Sequence, residues 1–184
     1  AVPDEIEFAT KWRISLMLLD AALAEGFPRW PVLADAGYGE YYEFREELRA
    51  RKLQYGVGIN GSLVFWTPGQ QPTPPSSRKL RGTKGRPPSR WKSNEMPASA
   101  LEIAKGLAYR NVLWRHGTKG PQRSMFAAIR VRHAHKHTRG TAPGPEEWLL
   151  SEWPSGEKEP TRLWLCSLPE TASLRELVRF VKRR

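Results

Sequence analysis

An α/β fold with a β-rich later half follows from three features of this chain. Helical and strand-like apolar patterns alternate between residues 11 and 59. Within that stretch the apolar run Pro31-Val32-Leu33-Ala34 ends on Asp35 and a Gly-x-Gly turn, Gly37-Tyr38-Gly39. A Val/Leu run bounded by Pro and Gly suits a strand covered on both faces, of the kind that presents functional groups at its end. From residue 67 onward the composition turns to Pro, Gly, Ser and basic residues, and strand-like segments follow.

In chain order, residues 1–8 form an entry segment, and Thr10 is placed to cap a helix from Lys11 to Glu25. Trp12, Leu16, Leu19 and Leu23 recur at helical spacing on one face, and Gly26 stops the helix. The Asp35 strand comes next. Asp35 has two readings here: a functional carboxylate at a strand tip, or a cap on the helix that follows. Tyr41, Phe44 and Leu48 mark that next helix, with Glu47 and Arg51 on its outer side, and Leu53 to Ile59 gives another strand. Helix, strand, helix, strand in succession implies parallel pairing through right-handed crossovers.

Residues 67–96 carry Pro72, Pro74, Pro75, Pro87 and Pro88, which block regular structure, so they are expected to form a linker. Ser99-x-x-Glu102 is a capping-box pattern opening a short helix. Strands are expected over Asn111 to Arg115 and Ser124 to His133, joined as a long-looped hairpin across Gly117 to Pro121. A second strand pair is expected over Glu147 to Trp153 and Arg162 to Cys166. Ser173-x-x-Glu176 opens a final helix whose Leu174, Leu177, Val178 and Val181 face inward. There is no internal repeat.

The 184 residues carry a net charge of +11, which predicts attraction to a polyanion, nucleic acid before a membrane surface. No apolar run approaches the ~20 residues of a spanning helix, and no N-terminal signal pattern appears. Cys166 stands alone, which excludes an internal disulfide and fits a reducing cytoplasm. Between Arg78 and Arg139 the only acids are Glu95 and Glu102, against a long series of Lys and Arg. Such clustering suits phosphate neutralisation. The expected DNA contacts are Arg81, Lys84, Arg86 and Arg90 in the linker, Lys119 and Arg123 flanking the Gly-rich turn, and Lys182, Arg183 and Arg184 at the basic end. Lys84-Gly85-Arg86-Pro87 has the form of a minor-groove hook, or of an ordinary basic linker. Trp66 and Trp114 are open to two roles, stacking on an unpaired base or packing in the core. His133, His135 and His137 alternate, as on one strand face, without the acid or Cys partners usual at a metal site.

Several separated blocks resemble one family. Phe8-Ala9-Thr10-Lys11, Val32 to Gly39, Gly117-Thr118-Lys119-Gly120-Pro121, Pro145-Glu146-Glu147-Trp148-Leu149-Leu150 and Leu174 to Arg179 recur in this order in bacterial insertion-sequence transposases of the DDE superfamily endonuclease type. The resemblance implies a partial RNase H-like fold with a β-rich insertion domain. Residues 1–66 would be part of the catalytic core, 67–96 the linker, 97–168 the insertion region and 169–184 a helix returning to the core. Asp35 corresponds to the second acid of the Asp-Asp-Glu triad and would ligate Mg²⁺ or Mn²⁺. The first Asp would lie upstream of Ala1, and the Glu about four positions past Arg184 in a Tyr-Arg-Glu-Lys type signature. Arg184 aligns with that signature's arginine, while Val181 stands where its tyrosine would be. Glu170 and Glu176 do not replace the missing acid, since Glu170 precedes the helix and Glu176 is accounted for by its cap.

The implied activity is hydrolysis of a DNA phosphodiester followed by attack of the freed 3′ hydroxyl on target DNA. Transposon ends and target DNA are the implied partners, a homodimer the implied assembly of the complete enzyme, and the bacterial cytoplasm, on the nucleoid, the implied location. Two alternatives stand beside this reading: a basic DNA-binding module without chemistry, and a decayed transposase remnant.

Overall fold

The computed structural model describes residues 8–75, 89–93, 95–118, 120–134 and 142–183. Helix α1 (Lys11–Ala24) presents Leu16 to the core, with Trp12, Leu19 and Leu23 packed around it. Thr10 occupies the N-cap position without a side-chain cap hydrogen bond, so its expected capping role is not met. The helix ends where Gly26 takes a φ of 87°, a conformation that costs glycine little.

Strand β1 (Val32–Ala34) leads into the short α2 (Ala36–Gly39), and α3 (Tyr42–Ala50) returns the chain to β2 (Tyr55–Ile59). The two strands pair in parallel, with Val32 beside Tyr55 and Ala34 beside Val57, as the alternation of elements predicts. Two short strands then appear that the sequence reading missed, β3 (Val64–Trp66) and β4 (Ala98–Ser99), paired antiparallel. A bridge between Thr73 and Lys92 closes the base of the stretch between them. Ser99 caps α4 (Ala100–Lys105) through the reciprocal Ser99–Glu102 box.

The expected hairpin is longer than its hydrophobic pattern. Strand β5 (Arg110–Gly117) and β6 (Gly120–His133) extend almost to each other, because Gly117 pairs with Gly120 and the latter's φ of 99° suits a tight turn. Strands β7 (Glu147–Trp153) and β8 (Arg162–Cys166) fall on the predicted residues, as does α5 (Leu174–Val181) behind its Ser173–Glu176 capping box.

All these strands form one mixed sheet in the order β1-β2-β8-β7-β6-β3-β4, with β5 on β6, and every pairing apart from β1–β2 is antiparallel. Strand β8, from the later β-rich block, lies directly against β2 of the first segment. Alternation divides the sheet's two faces. Leu149 and Leu165 join α1, α3 and α4 on one side; Leu150 and Cys166 meet α5 on the other. Helix α5 buries Leu177, Val178, Phe180 and Val181, each contributing about 1.5–3 kcal/mol of burial free energy. Among the described residues no helix is long and apolar enough to cross a membrane.

Candidate active-site cleft

Asp35 sits at the C-terminal end of β1, one step past the last paired residue, which brings it level with Gly58 of β2. Its carboxylate also caps α2, accepting a hydrogen bond from the Gly37 amide at 3.0 Å. The cap falls on the short α2, a turn of helix ahead of the one marked by Phe44 and Leu48, and it leaves the carboxylate at the strand end. The cap uses one carboxylate oxygen and orients the exposed side chain.

Close approach of α2 to β2 fixes that orientation. A methyl group on Gly39 would lie 1.9 Å from the Gly58 carbonyl oxygen, and one on Gly58 would lie 3.0 Å from the Ala36 amide nitrogen. Only glycine fits at Gly39. The end of α2 is tied from the other side by Arg45, fully buried on α3, whose guanidinium donates to the Gly39 carbonyl at 2.5 Å and pairs with Glu147 of β7 at 3.2 Å. Arg49 pairs with the same carboxylate at 3.3 Å, and the Tyr55 hydroxyl donates to it at 2.8 Å. Burial, reinforced by Glu147, pushes the Tyr55 hydroxyl well above the usual tyrosine range, so it stays a donor. A buried charge cluster thus supports the turn that carries Asp35.

Asp35 opens onto a cleft of about 640 Å³ on the α5 side of the sheet. Strand register accounts for its floor. Gly58 pairs with Trp164 of β8, so Asp35, the bare glycine and Trp164 lie in one row, the outer two separated by two strand spacings, about 10 Å. Asn60 follows at the end of β2, and Arg162 lies two residues before Trp164, on the same face of β8. The remaining wall comes from Trp114, Arg115 and Gln122 of the β5–β6 hairpin and Lys182 beyond α5. Asp35 is the one carboxylate among these lining residues.

Lys182 is held closely. Its ammonium lies 2.8 Å from Glu152 and 4.9, 5.6 and 5.2 Å from the ring centroids of Trp114, Phe126 and Trp164. Three aromatic faces and one buried carboxylate stabilise that cation where solvation is poor.

The other expected site residues scatter. Arg90 is exposed beside the Thr73–Lys92 bridge. Arg123 pairs with Leu113 on the hairpin face away from Gln122, and Arg183 lines a separate hollow with Gln54 and Phe180. Arg81, Lys84, Arg86, Lys119, Arg184, His135 and His137 lie outside the described residues. Trp66 is 4 % exposed, which fits packing and not stacking, and His133 is buried between Tyr42 and Phe65. Among the described residues no group of three or more His, Cys, Asp or Glu side chains gathers in a metal-ligating cluster. The sequence reading did not single out Asn60, Arg115, Gln122, Arg162 or Trp164. The alternation of Arg162-Leu163-Trp164 was the available signal, since period two puts Arg162 and Trp164 on one face.

A parallel strand pair ending in an acid, beside a cationic and aromatic cleft on a mostly antiparallel sheet, makes a mixed α/β fold compatible with a nuclease. The family of DDE superfamily endonucleases matches residues 1–121, a span that includes Asp35 and strand β5, and the chain belongs to that family. This membership is consistent with a DDE-type transposase. No curated protein matches the chain. Enzymes of the superfamily generally use divalent metal ions. The Asp35 carboxylate, with the Asn60 and Gln122 amides and the Thr161 hydroxyl lining the same cleft, offers oxygen donors of the kind a hard cation takes, and a single carboxylate does not make up a two-ion site.

Proposed function

We propose that this chain supplies the DNA-binding cleft and one metal-ligating carboxylate, Asp35, of a transposase that cleaves and joins DNA strands with Mg²⁺ or Mn²⁺. The observation that carries the reading is the placement of Asp35 at the end of a parallel strand, facing a cleft walled by Arg115, Arg162 and Lys182. In this reading β1 and β2 belong to an RNase H-like core, β5 to β8 to the inserted β-rich region, and transposon-end DNA is the bound partner. Bound divalent ions would activate the attacking oxygen and steady the leaving oxygen of the phosphodiester. The chain's own residues do the rest. Arg45 and Glu147 hold the Gly39 turn, the Gly37 amide orients Asp35, and the cationic wall receives the phosphate backbone.

The test is Asp35→Asn in the enzyme that carries the complete set of acids. It removes a charge with little change of shape, so metal-dependent strand cleavage should disappear while DNA binding persists. Normal cleavage by the variant would reject the assignment. A second reading, a DNA-binding module without chemistry of its own, is favoured by Asp35 being the one carboxylate that lines the cleft. Cleavage by the enzyme with the complete set of acids separates the two: metal-dependent cutting that is lost in Asp35→Asn would exclude the second reading, and cutting unchanged by the substitution would leave it standing.

A further inference from the structure

Strand β5 carries an irregularity at the point where it meets the cleft. Leu113 pairs with Arg123, yet the next paired residue is Arg115, opposite Gln122, so Trp114 is an extra residue in the ladder. Unbroken alternation would put Trp114 and Arg115 on opposite faces of the sheet. The bulge changes that. Arg115, with Gln122 beside it, joins Trp114 on the cleft side, and all three line the cavity that contains Asp35. His116 pairs with Pro121 and lies outside that lining.

Trp114 is well anchored, edge to face on Phe126 with centroids 5.5 Å apart and planes at 89°, and with Lys182 over its ring at 4.9 Å. These contacts hold the Trp114 ring on the α5 side of the sheet. Arg115 has a planar fork of donors suited to two phosphate oxygens at once.

We propose that Arg115 is a DNA-phosphate contact within the Asp35 cleft, and that the bulge at Trp114 is the device that aims it there. The proposal rests on the reading that the cleft holds DNA. It assigns to one residue a role that charge clustering alone would spread over the whole basic block.

The experiment is a DNA-binding titration by fluorescence anisotropy across a series of salt concentrations, with the wild-type chain, Arg115→Gln and Arg115→Lys. Arg115→Gln should weaken binding several-fold and lower the slope of log affinity against log salt by about one, the loss of a single phosphate contact. Arg115→Lys should keep the slope and lose part of the affinity. An unchanged slope in a folded Arg115→Gln chain, beside salt-dependent binding by the wild type, would overturn this proposal and leave the cleft reading standing. Absence of wild-type binding would overturn both. The direction of the side chain is tested separately with Arg115→Cys and His116→Cys, since the native Cys166 is buried. DNA bearing a tethered disulfide should cross-link at position 115 and not at 116. Equal or reversed cross-linking would contradict the role given to the bulge.

Discussion

Glu147 is the residue on which most of the buried charge depends. It is 2 % exposed and receives Arg45, Arg49 and the Tyr55 hydroxyl. A buried ion cluster is a modest source of net stability while intact, but removing one partner leaves charges buried without compensation. Glu147→Gln should therefore cost about 3–5 kcal/mol in chemical denaturation. A loss below about 1 kcal/mol, the scale of an exposed pair, would show that water reaches the two guanidinium groups. The link to the site runs through Arg45, since the same guanidinium holds the Gly39 carbonyl. Cys166 gives a contrasting case: burial pushes its thiol upward, which makes it an apolar packing group. Asp35 shows what a single residue can and cannot disclose. Its position between an apolar run and a Gly-x-Gly turn identified it, and both its cap and its place at a strand end are visible in local sequence. Arg115 could not be found that way, because its direction depends on a register shift against a strand that follows it.

At the scale of elements, the contact between α2 and β2 sets the position of Asp35. Gly39→Ala would place a methyl group against the Gly58 carbonyl, a backbone atom that cannot rotate away. Overpacking of this kind costs typically about 1–3 kcal/mol, and relief requires α2 to lift from the sheet. The predicted outcome is a lower midpoint of thermal unfolding together with weakened DNA binding. A variant with unchanged stability and binding would mean that the turn is not held as described. The elements themselves were largely legible. Helical spacing marks α1 and α5, two apolar runs either side of the turn-rich stretch from Pro154 to Pro160 mark β7 and β8, and two Ser-x-x-Glu boxes mark the starts of α4 and α5. Strands β3 and β4 were missed because each is too short to display a period and lies beside Pro-rich sequence. The Thr10 cap was over-read from residue type alone.

The molecule as a whole depends on pairings that no local pattern contains. That β8 lies against β2 is a contact between residues more than 100 positions apart, such as Gly56 and Cys166, and it builds the cleft floor from Gly58 and Trp164. Charge was legible at this scale: the excess of +11 predicts a polyanionic partner without locating it. The central claim is that the partner lies against Asp35, on the α5 face, and not against the helices of the other face. The most direct measurement tethers an iron chelate to a cysteine introduced by Asp35→Cys and maps where it cuts bound DNA, with Ala24→Cys on α1 as the comparison. The account predicts localised strand cutting from position 35 and none from position 24. Cutting from position 24 with none from position 35, in chains that bind DNA equally, would contradict it.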